Sequence, residues 1–436
     1  MTDLPQTSRR QFLAATSTAF GALLASGCVL REPLATATND PSYGPLVPDP
    51  AGFFDLPKGF SYRILSRLGD AMQDGGKVPD YADGMGCFAL PGNRLALVRN
   101  HELQTHQDAG GSPTPGYDYL TDGKVLPGGT TTLILDARTL EVQRQFRSLS
   151  GTIRNCAGGI TPWGSWLTCE EDVTRAGQRG VDKDHGYIFE VPASATGLVD
   201  PVPLKAMGRF NHEAAAVDPR TGMVYLTEDR DDGLLYRFIP RVRGKLDAGG
   251  QLQALVVEGL PDSRNRTAQA FAPASWQKVR WVDLDNPESP ADDLRKRGAE
   301  LRATVFARGE GIHMGDGELY FCCTSGGNAK LGQIFRLRPR QDQLQLFFES
   351  TSVEQFNYGD NLTVAPDGHL VVCEDQYTPV VDNHLRGISP AGEAYTLARL
   401  RRQTELAGAC FSPDGKVMFV NVFSPTATLA ITGPWR

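Results

Sequence analysis

Six short turns, each carrying a glycine and each opening into an apolar run, recur along this chain and leave few folds open to it. Pro91-Gly92-Asn93 leads into the run 95–98, Trp163-Gly164 into 166–167, and Arg220-Thr221-Gly222 into 224–226. Asp316-Gly317 leads into 319–321, Asp367-Gly368 into 370–372, and Asp414-Gly415 into 417–420. From Gly92 through Gly164, Gly222, Gly317, Gly368 and Gly415 the intervals are 72, 58, 95, 51 and 47 residues. Four-stranded propeller blades repeat at about 45–60 residues, and the longer intervals would hold insertions. The spacing therefore predicts an all-β chain, a six-bladed β-propeller over residues 51–436 with short helical or loop insertions. A pair of β-sandwiches is the alternative, but it has no need of turns at such intervals. With 47 Gly and 29 Pro in 436 residues, the composition is that of a turn-rich fold.

The N-terminus reads as an address. Ser8-Arg9-Arg10-Gln11-Phe12-Leu13, followed by an apolar run to Ala25, has the form of a twin-arginine export signal over residues 1–28. A chance Arg pair before a buried helix is the plainer alternative. Ala25-Ser26-Gly27-Cys28 resembles a lipoprotein box, which would make Cys28 a lipid anchor to the membrane. Residues 29–50, rich in Pro, Thr and Asp, read as a linker. The expected route is the Tat translocase and the expected location the periplasm. The formal charge of −7 argues against a nucleic-acid partner, and the chain is expected to act as a monomer.

Counting from each turn glycine shows where chemistry concentrates. Six residues after it stand Glu170, Glu228, Cys323, Glu374 and Asn421 in the last five units, while the first slips to Asn100-His101-Glu102. Seven to nine residues before it stand Asp83, Cys156, Glu213, Glu310 and Asp360. Two strands joined by a turn bring both positions to one end of the sheet. In a propeller the inner strands surround the axis, so these groups should meet at one mouth of the channel. A ring of carboxylates repels itself unless cations neutralise it, so the pattern predicts a metal site. Singly, each such residue is more often part of a solvated face.

The hairpin 151–172 is the densest example, opening on Cys156 and closing on Glu170-Glu171. Beyond Cys28 the chain has Cys87, Cys156, Cys169, Cys322, Cys323, Cys373 and Cys410, none at the spacing of a zinc knuckle. Disulfides are the ordinary expectation for most of them in an oxidising compartment. Cys156, at a strand entrance rather than inside an apolar run, stands open between ligand and structural thiol.

Several of these segments carry a resemblance. Asn100-His101-Glu102, the 155–172 block, Phe210-Asn211-His212-Glu213-Ala214-Ala215, Thr227-Glu228-Asp229, Phe411-Ser412-Pro413-Asp414-Gly415 and Gly433-Pro434-Trp435 resemble the PhoX family of alkaline phosphatases across roughly residues 50–436. The resemblance implies a Tat-exported six-bladed propeller with an Fe(III) and Ca2+ cluster in its mouth, hydrolysing phosphate monoesters. Position by position, it implies that Cys156, Glu213 and Glu310 bind iron. Glu170, Glu171, Asp360, Asn361, Glu374 and Asp375 match the calcium-side oxygen ligands. Arg308 would clamp the phosphate of a small-molecule ester, because a guanidinium meets phosphate oxygens in pairs. Asn155, His101, Glu102 and His212 would hydrogen-bond the ligands from behind. This chain departs from the family in its shorter length, in Gly309, Gly311 and His313 around Glu310, and in the segment 375–379.

Thiolate with carboxylates suits Fe(III), and carboxylate with amide oxygens suits Ca2+. No serine embedded in an activating His/Asp set is apparent, and there is no P-loop. A calcium-dependent lactonase or esterase, and a non-catalytic metal-binding propeller, are the alternatives. Cys156 together with Glu213 and Glu310 argues against the first.

Overall fold

The computed structural model describes residues 42–375 and 381–436. The export segment, Cys28, the first part of the expected linker and residues 376–379 of the variant segment lie outside the described residues. The rest of the expected linker is partly structured. Leu46–Val47 pairs with Phe54–Pro57, and Tyr43 meets Phe60 and Trp435 edge-on.

The fold is all-β and propeller-like, built from antiparallel meanders. The first runs Ala82–Leu90, Arg94–His101, Gly128–Asp136, Val142–Thr152, and the second Asn155–Ile160, Ser165–Glu170, Ile188–Pro192. Then come His212–Val217 through Lys245–Val257, Gly309–Met314 through Gln343–Glu349, and Gly359–Val364 through Ala394–Leu400. The last, Leu406–Phe411, Val417–Val422 and Ala427–Thr432, takes Ser61–Arg67 as its outer strand. Head and tail of the chain therefore close one sheet between them.

Six separate sheets were expected, and hydrogen bonding among the described residues gives five. The strand Trp276–Leu284, from the 95-residue interval, pairs with Lys245–Val257 on one side and Gln343–Glu349 on the other. It fuses two meanders into one ten-stranded sheet. Among the described residues, helix is confined to Leu294–Glu300 and a 3-10 turn at Lys205–Met207.

Each sheet is packed on both faces, which explains apolar runs where alternation would mark a half-exposed strand. In Val417–Val422, Met418 and Val420 enter one core with Leu385 and Leu429, while Val417 and Phe419 enter another with Leu97 and Leu133. Gly92, Gly164, Gly222, Gly317, Gly368 and Gly415 all have positive φ, between 72° and 87°. A side chain there would be strained, so the six hairpins depend on glycine.

Candidate metal centre

One device recurs in all six inner strands. Each carries a two-residue bulge near its start: Asp83-Gly84, Cys156-Ala157, Glu213-Ala214, Glu310-Gly311, Asp360-Asn361 and Gly408-Ala409. A bulge sets two residues against one on the partner strand and re-aims a side chain that would otherwise follow the pleat. In five of the six the first residue can ligate a metal. Except for Asn361, the second is Gly or Ala, because the bulges interlock. A Cβ on Gly84 would stand 2.5 Å from Ala157 Cα, and one on Gly311 would stand 2.7 Å from the Asp360 carbonyl oxygen.

The approach to each bulge is also constrained. Tyr81, Arg154, Arg308 and Tyr358, each two residues before a ligating side chain, have φ of 56°, 48°, 52° and 53°. Left-handed backbone at non-glycine residues is uncommon and concentrates at functional sites. The bulge carbonyls, pulled out of the ladder, are caught by polar side chains from neighbouring strands. Asn100 donates to the carbonyls of Cys156 and Ala157, Thr227 to that of Glu310, and Asn421 to that of Asp83. The residues facing the bulges include Cys169, Cys322 and Cys373. Each is fully buried, and all seven cysteines of the described residues are free thiols, so the expected disulfides are not formed there.

The bulges bring together overlapping groups whose ligand atoms lie within 4.8 Å of one another: Asp83, Glu102 and Cys156; Cys156, Glu171 and Glu213; Glu213, Glu310 and Asp360; Asp360, Asp375 and Glu405. The chain thus gathers eight carboxylates and one thiol. Two arginines reach in. Arg154 meets Glu102 at 2.5 Å and Glu171 at 2.6 Å, and Arg308 meets Asp229 and Glu310 at 2.8 Å each. Two cations cannot neutralise so many buried acids. Burial, with the neighbouring acids adding to it, pushes Asp83, Glu171, Glu213, Glu310 and Glu405 well above the usual carboxylate range. Burial and Asp375 raise Asp360 to about 7. The Cys156 thiol, 3.6 Å from Asp83 Oδ2, is pushed up by burial and by Asp83 and Glu213. Both Glu213 oxygens and Asp83 Oδ1 are buried with no hydrogen-bond partner. Bound cations would satisfy all of these groups at once.

Of the residues expected as ligands, Cys156, Glu171, Glu213, Glu310, Asp360 and Asp375 converge here. Asn361 lies in a bulge, bonded to Asp360 and to the Gly408 N–H. Glu170 and Glu374 stand outside these groups. Both sit on the second strand of their hairpins, one strand away from the axis, with their oxygens already engaged. Glu170 accepts from the N–H groups of Ile153, Gly186 and Tyr187 and bonds His185 at 2.6 Å. Glu374 accepts from the Asn357 N–H and Arg386 and bonds His384. Both anchor loops.

The residues expected behind the ligands divide. Glu102 itself joins the cluster. Asn155 bonds Thr152 and Thr168. His101, on the Asp80 carbonyl and Thr131, and His212, on the Gly208 carbonyl, turn away from it. Asp83, found by the count from the turn glycine but not among the implied ligands, joins the cluster, and Asp229 and Glu405 are the additions. Asp83-Gly84 repeats the pattern of an acid followed by a small residue, so the sequence carried its signal; Glu405 has none. The other half of the channel is an apolar cavity of about 350 Å³ lined by Met85, Ile312, Met314, Leu362, Val364 and Phe411. With no acid on its walls, it is not where this chemistry sits.

Fold and site together define an all-β, propeller-like protein with a carboxylate-lined mouth fitted for cations. The family description "Alkaline phosphatase PhoX" matches residues 41–426, and the chain belongs to that family of phosphatases. Among solved structures it is similar to Pseudomonas fluorescens PhoX in complex with vanadate, a transition-state analogue, at 19% identity and a TM-score of 0.67, covering 88% of this chain and 96% of that one. It is more loosely similar to a Xanthomonas campestris gluconolactonase, at 15% identity and a TM-score of 0.38, covering 94% of this chain and 100% of that one. No curated protein sequence matches it.

Proposed function

We propose that this phosphatase hydrolyses phosphate monoesters at a mixed Fe(III) and Ca2+ centre in the mouth of a six-bladed propeller. The observation that carries the proposal is Glu213, whose two oxygens are buried without a partner between Cys156, Glu171, Glu310 and Asp360. A carboxylate in that position requires a cation or a proton, and a thiol beside it favours iron over calcium alone. Cys156, Glu213 and Glu310 would hold iron; Glu171, Asp360, Asn361 and Asp375 would hold calcium. Bound there, the ions supply Lewis acidity toward phosphate oxygens. Arg308 is fixed by Asp229 and Glu310 with its side chain 35% exposed, so it can meet an incoming phosphate without reorganising. The vanadate complex of the similar Pseudomonas protein supports phosphoryl chemistry. Six blades follow if Trp276–Leu284 is taken as a bridge between two of them; one bulge in each of six inner strands supports that count.

Protein purified without chelator should contain iron and calcium and hydrolyse p-nitrophenyl phosphate. Arg308→Ala should keep both metals and raise KM by about tenfold or more, the worth of a charge-assisted phosphate contact. An iron-free protein that opens lactones with calcium alone would overturn the reading.

We also propose Tat-dependent export to the periplasm with Cys28 as a lipid anchor. Replacing Arg9 and Arg10 by Lys should leave the protein in the cytoplasm, and Cys28→Ala should release it from membranes. Fractionation and immunoblotting check both; unimpaired export of the double variant rules out this route.

A further inference from the structure

Beside the metal mouth, and sharing Arg154 and Glu171 with it, lies a second pocket of about 320 Å³. Its other walls include Asp172, Thr174, Gln178, Arg179, Asn211 and Arg230. Three guanidinium groups line it, and the acids beside them, Glu102, Glu171, Asp172 and Asp292, take up only part of their donor capacity. Arg154 is already occupied by Glu102 and Glu171. Arg179 meets Asp172 through one nitrogen at 3.0 Å. Arg230 gives one nitrogen to Asn211 at 3.0 Å and stands 3.5 Å from Asp292, while its Nε is buried with no hydrogen-bond partner. A buried guanidinium N–H left unpaired marks where an acceptor is missing.

The wall bearing Arg179 is held in place. Asp118 accepts from the N–H groups of Asp182 and Lys183, Arg209 donates to the Val173 carbonyl, and Glu170 fixes residues 186 and 187. Asp118 and Glu170 also hold His185 between them, at 3.1 Å and 2.6 Å. The pocket is therefore preformed.

We infer that this pocket binds a second anionic group, a carboxylate or a further phosphate, on the leaving-group side of the substrate. Resting on the phosphatase reading above, it names the substrate class: phosphate monoesters whose alcohol portion is itself charged. The scissile phosphate sits at the metal mouth, and the second anion reaches across Arg154 to Arg230 and Arg179. A guanidinium fork serves carboxylate and phosphate alike, so both belong to the class.

The test compares 3-phosphoglycerate and fructose 1,6-bisphosphate with glycerol 3-phosphate, whose leaving group is uncharged. In the wild type, kcat/KM for the first two should exceed that for the third by about tenfold. Arg230→Gln should bring the ratio toward one, acting mainly through KM. Arg179→Gln, at a side chain 66% exposed and therefore safe for the fold, should lower the ratio in the same direction. Hydrolysis of all three esters with ratios unchanged in both variants overturns this inference and leaves the phosphatase reading standing. Failure of the wild type to hydrolyse any of them overturns the phosphatase reading, and this inference with it.

Discussion

Replacing Cys156 by alanine is expected to lower kcat/KM for a phosphate monoester by at least about a hundredfold, a loss of roughly 3 kcal/mol in transition-state stabilisation. The same change should strip iron from the protein and bleach its visible absorption. The thiol stands where two of the acidic groups overlap, one with Asp83 and Glu102 and the other with Glu171 and Glu213. Surrounded by acids and fully buried, it stays protonated unless a cation draws the thiolate out. Alanine at this position preserves the bulge, whose carbonyls remain bonded to Asn100, so the fold should survive. Circular dichroism and elemental analysis separate loss of metal from loss of structure. Cys156→Ser should keep part of the metal, because a hydroxyl is a weaker ligand. Cys169→Ala is the control, since that thiol faces the same bulge from the second strand and packs in an apolar core with Leu167 and Ile188. It should cost stability, by about 1 kcal/mol, but not colour. Wild-type activity and absorption in Cys156→Ala would remove this cysteine from the centre.

The parts of this site visible in the sequence were those set by strand period and turn chemistry. Six glycines forced to positive φ mark the hairpins, and counting back from them finds Asp83, Cys156, Glu213, Glu310 and Asp360. Counting forward finds Glu170 and Glu374, which the structure places outside the clustered acids with hydrogen-bond partners of their own. Both ends of a hairpin reach one edge of the sheet: the bulge of the inner strand turns a side chain into the channel, and past the second strand it is the next residue, Glu102, Glu171 or Asp375, that joins the cluster. A bulge has no strong local signature beyond the small residue that follows the ligand. Gly84, Ala157, Ala214 and Gly311 carried that signal, which makes sense only once neighbouring inner strands are seen to interlock. Glu405 comes from a connecting segment with no place in the count. The fusion of two meanders through Trp276–Leu284 is likewise a tertiary pairing across a long insertion, which no local pattern specifies.

Removing the metals should reverse the sign of the protein's pH dependence of stability. Without cations, burial raises the folded-state pKa of the clustered carboxylates, Asp360 to about 7 against 3.8 as its ordinary value. Asp83, Glu171, Glu213, Glu310 and Glu405 are raised in the same direction. A group that binds its proton more tightly when folded contributes stability below its unfolded pKa and loses it as pH rises through the folded value. The metal-free protein should therefore weaken steadily from about pH 4 to beyond pH 7. A three-unit difference corresponds to about 4 kcal/mol for an isolated group, an upper bound where the acids share protons. With cations bound, the carboxylates stay ionised in the folded state, their folded pKa lies below the unfolded one, and stability is lost as pH falls. The two forms should accordingly converge near pH 5 and separate most at pH 8. For a chain of this size the midpoint of the chelator-treated protein should drop by roughly 5 °C between those pH values. Calorimetry of metal-loaded and EDTA-treated protein at pH 5, 6.5 and 8 reads this directly. A treated protein whose midpoint holds level or climbs from pH 5 to pH 8 would show that the buried acids are not protonated in the folded state, and that two arginines suffice to neutralise the mouth.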